Sequence, residues 1–189
     1  MLEVTGASPL PVAIRAERAS EHGAIREVID AAFDPDTSVG RLVAAIRASP
    51  RYVAAFALVA VSGARELVGF AMLSHADLVD DAGDVTCEVL TLSPVAVAPS
   101  AQRRGVGSAL VREALRRAAR TDESLVVVEG HPAYYPRFGF EAALRHDVVI
   151  ELPEWAPPEA AMVLRLPAYT PRAVGTVTYP PAFDEVVEH

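Results

Sequence analysis

One segment of the chain, residues 95–110, has the residue types and spacing of an anion-binding turn. An apolar strand ends there, a short turn follows, and a helix begins on Gly105 and Gly107. N–H groups at the start of a helix have no intrahelical partners and carry the positive end of the helix dipole. Because glycine has no side chain, a phosphate can reach those groups, and Arg103 and Arg104 add positive charge beside it. The segment therefore predicts a pyrophosphate cradle.

The two glycines also fit a plainer role, in which they serve only to let the helix pack closely on the strand. Two common phosphate-binding turns do not match the segment. A dinucleotide-binding turn has a third glycine three positions after the second, where this chain has Leu110. A P-loop needs a lysine, and the chain contains none. We therefore do not expect the phosphate to be that of NAD or ATP.

The elements that must position this turn are predicted from the spacing of apolar residues and from turn-forming residues. Pro94 lies inside the strand before the turn, so that strand must bulge, end or lie at a sheet edge. The predicted helices cover residues 21–33, 38–48 and 104–120, and the predicted strands cover residues 52–61, 67–74, 85–97, 124–129, 148–152 and 161–166. This order predicts a mixed α+β fold with a strand–helix–strand crossover at its centre.

Composition limits the class of protein. The chain has 189 residues, 51% of them hydrophobic, so it can bury a core and is not intrinsically disordered. We expect a single domain over residues 1–168 and an extended, proline-rich tail over residues 169–189 packed on that domain. The formal net charge of −8 argues against nucleic acid or an anionic membrane as a partner. Without lysine there is no Schiff-base chemistry, and the lone Cys87 cannot form an intrachain disulfide. No targeting or membrane-spanning segment is evident, so we expect a cytoplasmic protein.

Two motifs resemble a known family. Residues 102–107, Gln-Arg-Arg-Gly-Val-Gly, match the Q/R-x-x-G-x-G/A acetyl-CoA motif of the GNAT superfamily of N-acetyltransferases. Residues 134–140, Tyr-Tyr-Pro-Arg-Phe-Gly-Phe, resemble the segment that closes this motif region in many members. The core resemblance covers roughly residues 15–143. Residues 131–135 and 175–183 further resemble a bacterial subgroup of the superfamily, which extends the similarity over nearly the whole chain.

The resemblance implies a GNAT-like fold, with a mostly antiparallel central sheet, splayed central strands and flanking helices. It also implies acetyl-CoA as co-substrate, with no metal. The pantetheine arm would pair with main-chain groups in the gap between the splayed strands, and the turn would hold the pyrophosphate. The cofactor-binding residues expected on this basis are Val95, Ala96, Val97, Gln102, Arg103, Arg104, Gly105, Val106, Gly107 and Ser108.

The reaction implied is direct attack of an amine on the acetyl thioester in a ternary complex. Tyr135 occupies the place of the family tyrosine that protonates the departing thiolate, and Tyr134 is the alternative. Many members carry a Glu or His that acts as general base at one strand position. This chain has Thr91 there, which cannot serve as a general base. Glu88, Glu129 and His131 are alternatives, but each fits a structural role better than a catalytic one. Glu88 is expected on the opposite face of its strand unless a bulge shifts the register. Deprotonation through water, or capture of neutral amine, fits as well.

The remaining candidate groups predict little chemistry. His22 lies in a polar helix start, and His75 and His146 are isolated in the sequence, so no metal site is expected. Trp155, among prolines, is expected to pin the tail by packing, with a place in the acceptor pocket as the alternative.

The implied function is transfer of an acetyl group to a primary amine. This makes the protein an acyltransferase that transfers groups other than aminoacyl groups. Acceptors in the superfamily range from small molecules to peptides, and the acidic balance of this chain slightly favours a cationic one. A catalytically weak acyl-CoA-binding sensor or regulatory module is the alternative, and a purely structural protein would need the glycine turn to be empty. The sequence leaves open whether the protein forms a homodimer.

Overall fold

The computed structural model describes residues 8–181 and 183 of the chain. Within these residues, nine strands and three α-helices follow one another in a mixed order. They are β1 Val12–Ala16, α1 His22–Phe33, α2 Ser38–Arg47, β2 Tyr52–Ser62, β3 Leu67–Val79, β4 Val85–Val97, α3 Val106–Ala118, β5 Leu125–Glu129, β6 Glu141–Ala142, β7 Val148–Val149, β8 Ala161–Arg165 and β9 Gly175–Thr178. No helix within the described residues is both long and apolar enough to span a bilayer.

The strands form one sheet in the order β1-β2-β3-β4-β5-β8-β6. Most neighbours are antiparallel, and the parallel pairs are β4 with β5 and β7 with β9. The helix α3 lies in the connection between the parallel strands β4 and β5, as a parallel crossover requires. The predicted mixed α+β fold with a mostly antiparallel sheet is therefore confirmed.

The two parallel central strands separate soon after they meet. β4 and β5 pair at Leu90 with Val126 and at Thr91 with Val127, whereas β4 continues to Val97. Beyond Thr91 the edge of β4 that faces β5 is therefore free of strand partners. The splay leaves a gap in the middle of the sheet.

A bulge in β4 lies where the strands diverge. The register against β3 shifts between the pairs Leu92–Leu73 and Val95–Ala71, so β4 carries one extra residue there. The extra residue reverses which side chains face α3. Leu90 and Leu92 pack in the core under α3 before the bulge, and Val95 and Val97 pack against it afterwards. Pro94 thus lies in a bulge, the first of the three arrangements predicted from the sequence.

Helices cover both faces of the sheet. The apolar stripe of α3, with Leu110, Val111 and Ala114, packs on one face. On the other face, α1 and α2 pack on the first strands through residues such as Ile29 and Ile46. A C-terminal portion of the chain packs beside them on β5 and β8.

Part of the predicted C-terminal tail is a strand of the sheet. Gly175–Thr178 forms β9, which pairs with β3 at Asp77–Val79, beyond the part of β3 that β2 covers. An unpaired strand edge exposes backbone donors and acceptors, and β9 satisfies them. Conversely, the strand predicted over residues 148–152 is reduced to Val148–Val149. Residues 182 and 184–189 of the predicted tail lie outside the described residues.

Candidate active site

The start of α3 presents backbone donors. Gly105 caps the helix with a positive φ of 85°, a conformation that favours glycine. The first helical hydrogen bond runs from Ala109 N–H to the Gly105 carbonyl, at 3.0 Å. The N–H groups of Val106, Gly107 and Ser108 precede it and so have no partner within the helix. This is the geometry that the sequence predicted for an anion cradle.

The turn before α3 is held by its own polar residues. The Gln102 side chain donates to the Val97 carbonyl at 3.1 Å, which fixes the turn on the end of β4. The Arg104 guanidinium donates to the Ser8 carbonyl at 3.2 Å, and the Arg104 carbonyl accepts from Leu10 N–H at 3.0 Å. Arg104 thus anchors the N-terminal segment, whereas the neighbouring Arg103 is exposed.

The free edge of β4 presents alternate main-chain groups to the gap. Ala98 N–H donates to the Val68 carbonyl, so Ala98 and Ala96 direct their main-chain groups toward β3. By the same alternation, Val95 and Val97 direct theirs toward the gap. The Val97 carbonyl accepting from Gln102 agrees with this direction. Of the three predicted strand residues, Val95 and Val97 therefore offer main-chain groups to a ligand, and Ala96 pairs with Phe70 of β3.

A cavity of about 270 Å³ lies between this edge and the start of α3. It brings together residues from the strand, the turn, the helix and the tyrosine segment. The lining residues are Ala32, Phe33, Val95, Val97, Gln102, Gly107, Tyr134 and Tyr135. The last turn of α1, with Ala32 and Phe33, was not predicted to take part. Its apolar spacing indicated only a core helix, and tertiary packing alone places its end at the cavity.

The two adjacent tyrosines take different positions. The Tyr134 hydroxyl lies 3.3 Å from the Ser108 hydroxyl, at the start of α3. The Tyr135 ring packs against Gly130, directly after β5, where a Cβ would collide with it. The two rings meet edge to face, with centroids 5.1 Å apart. Burial, with a smaller contribution from Tyr134, raises the pKa of Tyr135 to about 12. Tyr135 therefore keeps its proton at neutral pH.

The groups considered as general bases are dispersed. Thr91 is buried, 2% exposed. Glu88 pairs with Arg51 at 2.7 Å and, by strand alternation, lies on the opposite face of β4 from Thr91. The His131 imidazole accepts from Ala133 N–H at 3.2 Å, so it closes its turn.

Glu129 differs from these groups because it ends β5 on the same face as Thr91, two positions after Val127. Its side chain is accessible to solvent, yet enough protein surrounds the carboxyl to raise its pKa above the ordinary value.

Tyr179, just after β9, lies beside Glu129. Burial raises the pKa of Tyr179 strongly, and the Glu129 carboxylate adds to the effect, while a hydrogen bond to Thr91 opposes it. No local pattern pointed to Tyr179, because β9 brings it there from far along the chain.

Two expectations about isolated residues were wrong. His75 contacts Glu123 at 2.8 Å and Glu88 at 3.6 Å, because neighbouring strands and the segment after α3 converge there. The Arg51 guanidinium already neutralises Glu88 in this cluster. His146 pairs with Glu141 at 2.7 Å.

Trp155 does not pack as predicted. Its side chain is 84% exposed, and it borders a second cavity, which begins at Glu129 and Gly130. The prolines around it shape a surface loop and leave the indole outside the core. Trp155 therefore lies at a cavity and not in the core.

Residues 53–142 match the family model for the acetyltransferase (GNAT) domain. The chain therefore contains a GNAT acetyltransferase domain. Its fold is similar to that of the GNAT family N-acetyltransferase YhbS from Escherichia coli in complex with CoA, with a TM-score of 0.79 and 26% identity over 93% of both chains. It is also similar to a GNAT family acetyltransferase from Brucella melitensis in complex with acetyl-CoA, with a TM-score of 0.70 and 27% identity over 92% of this chain and 99% of that one.

A curated relative of this GNAT protein is the Escherichia coli protein called uncharacterized N-acetyltransferase YjhQ. The two are 44% identical over 50 residues, which is 26% of this chain and 28% of that protein. The sequence match therefore spans less than a third of that relative's length.

Proposed function

We propose that this GNAT protein transfers the acetyl group of acetyl-CoA to a primary amine by direct attack in a ternary complex. One observation carries the proposal: the unpaired N–H groups at the start of α3 and the free edge of β4 meet in one cavity. A phosphate and an extended amide chain are the two parts of acetyl-CoA that need these surfaces. The relatives with bound CoA and acetyl-CoA are of the same fold.

The start of α3 fits the pyrophosphate. The N–H groups of Val106, Gly107 and Ser108 would donate to it, and the helix dipole favours its charge. A Cβ on Gly107 would lie 3.2 Å from the Tyr134 hydroxyl, inside the space that the phosphate needs. Arg103, exposed beside the turn, adds positive charge.

Gln102, Arg104 and Gly105 shape the turn and so orient these donors. The contacts of Gln102 with Val97 and of Arg104 with Ser8 fix the two ends of the turn. The positive φ of Gly105 then directs the following N–H groups toward the cavity. Val95 and Val97 would pair with the pantetheine amides as a neighbouring strand would, and Ala96 holds that edge on β3.

The chemistry needs two proton movements. The ammonium of the acceptor loses one proton before its nitrogen attacks the thioester carbonyl carbon. The C–N bond then forms and the C–S bond breaks. Tyr135 donates its proton to the departing thiolate and recovers one from the nitrogen that has been acylated, so a single proton goes to solvent overall. Burial keeps Tyr135 protonated for this role.

A catalytically weak acyl-CoA-binding module is the second candidate, because buried Thr91 supplies no carboxylate where many members have a base. Incubation with acetyl-CoA and a panel of primary amines, with free CoA thiol as the readout, separates the two. Amine-dependent release of CoA supports acetyl transfer. Tight binding of acetyl-CoA with no release from any amine supports the binding module.

A further inference from the structure

We infer that the second cavity is the acceptor site and that it takes a primary amine carried on an apolar, preferably aromatic, body. In this assignment the Glu129 carboxylate pairs with the ammonium and Trp155 contacts the body. The inference rests on the proposed function and names its substrate class.

The second cavity lies next to the first, and the contact between Gly130 and Tyr135 connects their linings. It has a volume of about 540 Å³ and begins at Glu129 and Gly130, at the end of β5. The Tyr135 ring lies against Gly130 and also lines the first cavity. Tyr135 therefore separates the two spaces, and an amine in the second cavity would approach the thioester beside the proposed acid.

The lining of the cavity selects for an apolar ligand. Its walls come from the turn after β5 and from the loop that carries Trp155, and they are largely aliphatic. The apolar lining residues are Pro132, Leu152, Pro153, Ala156, Pro157 and Ala160. A polyamine or an aminosugar would lose the hydration of several polar groups here without gaining hydrogen bonds. The volume is in the range of sites for small organic ligands.

Glu129 selects for a cation. Among the lining residues it supplies the carboxylate, and His131 is the other titratable group. A carboxylate partly withdrawn from water gains more from an ammonium partner than a fully solvated one does. Glu129 lines the second cavity and Tyr179 does not, so we assign the ammonium to the carboxylate on the cavity side.

Trp155 offers the aromatic contact. It is the single tryptophan of the chain, and its 84% exposure leaves a large apolar ring in water at the cavity. An exposed ring of this size beside an apolar cavity is typical of a binding surface. An aromatic body stacked on the indole would bury both rings.

The single tryptophan makes the test direct. Trp155 fluorescence is followed in the CoA-bound protein during titration with 2-phenylethylamine, with 2-phenylethanol, which lacks the ammonium, and with 1,4-diaminobutane, which lacks the aromatic body. We expect a saturable change with 2-phenylethylamine and at least about 10-fold weaker binding of the other two, because each lacks one of the paired contacts. The Glu129→Gln substitution should weaken the binding of 2-phenylethylamine by a similar factor. Glu159→Gln, an exposed carboxylate outside the cavity lining, should not.

Steady-state kinetics tests the role of Trp155 itself. Trp155→Ala should raise KM for 2-phenylethylamine about 10-fold with little change in kcat, and Trp155→Phe should restore most of the loss. Equal binding of 1,4-diaminobutane, or unchanged binding in Glu129→Gln, would overturn the inference. Failure of the proposed function looks different, because either acetyl-CoA itself would not bind in calorimetry or no amine would release free CoA from it.

Discussion

The Tyr134 hydroxyl lies 3.3 Å from the Ser108 hydroxyl, at the first turn of α3. The two sequence motifs, far apart in the chain, thus meet at the same helix start. The contact also shows that the two adjacent tyrosines lie in different places. Tyr134 lies at the α3 end of the cavity, whereas Tyr135 lies against Gly130 at the end of β5.

Tyr135→Phe should lower kcat by about 10²-fold or more, the usual loss when a general acid is removed. Affinity for acetyl-CoA should not change, because the ring and its packing remain. Tyr134→Phe is the matched control: it removes the hydroxyl near Ser108 and should affect acetyl-CoA affinity more than kcat. Steady-state kinetics with calorimetry measures both. A larger loss of kcat in Tyr134→Phe would assign the acid to Tyr134.

The fall of the reaction rate at acidic pH, the acidic limb of the pH–rate profile, should report the titration of the Glu129 carboxyl. Burial raises the pKa of its carboxyl above 4.5, so the anion that pairs with an ammonium is present above that raised pKa and is lost as the pH falls through it. We expect kcat/KM for 2-phenylethylamine to fall on acidification with a midpoint above 4.5. A hydrogen bond from Tyr179 opposes the effect of burial on the pKa of Glu129.

Glu129→Gln should flatten this acidic limb. A raised pKa in the folded state also means that ionisation of Glu129 costs stability at neutral pH, and that this cost is absent at low pH. The variant should therefore be at least as stable as the wild type at neutral pH in thermal unfolding. An acidic limb of unchanged size and midpoint would exclude Glu129 as its source.

Local patterns predicted much of this molecule. The spacing of Ile25, Ile29, Leu110 and Ala114 marks helix faces that the structure buries, because a helix in a small domain is stabilised by its apolar stripe. The glycine turn was predicted from Gly105 and Gly107, since its geometry depends on backbone freedom and helix position alone.

Contacts set by tertiary structure could not be predicted in this way. β9 pairs with β3 although the paired residues lie about a hundred positions apart in the chain, so no local pattern indicates the pairing. The same pairing brings Tyr179 to Glu129. Trp155 was expected to pack because tryptophan is mostly buried, and its exposure follows from the shape of the surrounding loop.

The ion pair of Arg47 with Glu17 should contribute strongly to stability. Their side chains are 13% and 2% exposed, and Glu17 also accepts from the Tyr52 hydroxyl at 2.9 Å. Arg47→Met leaves a buried carboxylate short of its cation and should cost about 3 kcal/mol in denaturant unfolding. Arg116→Met, which removes a half-exposed pair with Glu113, should cost much less, because water screens an exposed ion pair. Equal losses would show that burial of Glu17 is not decisive.

The most direct test of the proposed acetyl-CoA site is calorimetric titration of acetyl-CoA into the wild type and Gly107→Glu. The glutamate would place a negative side chain among the N–H groups at the start of α3, so binding should be lost while the fold, checked by circular dichroism, remains. Gly23→Glu is the matched control, because a side chain at Gly23 meets nothing within 4 Å, and it should bind like the wild type. A folded wild type that did not bind acetyl-CoA, or a Gly107→Glu variant that bound it equally well, would contradict the assignment of this site.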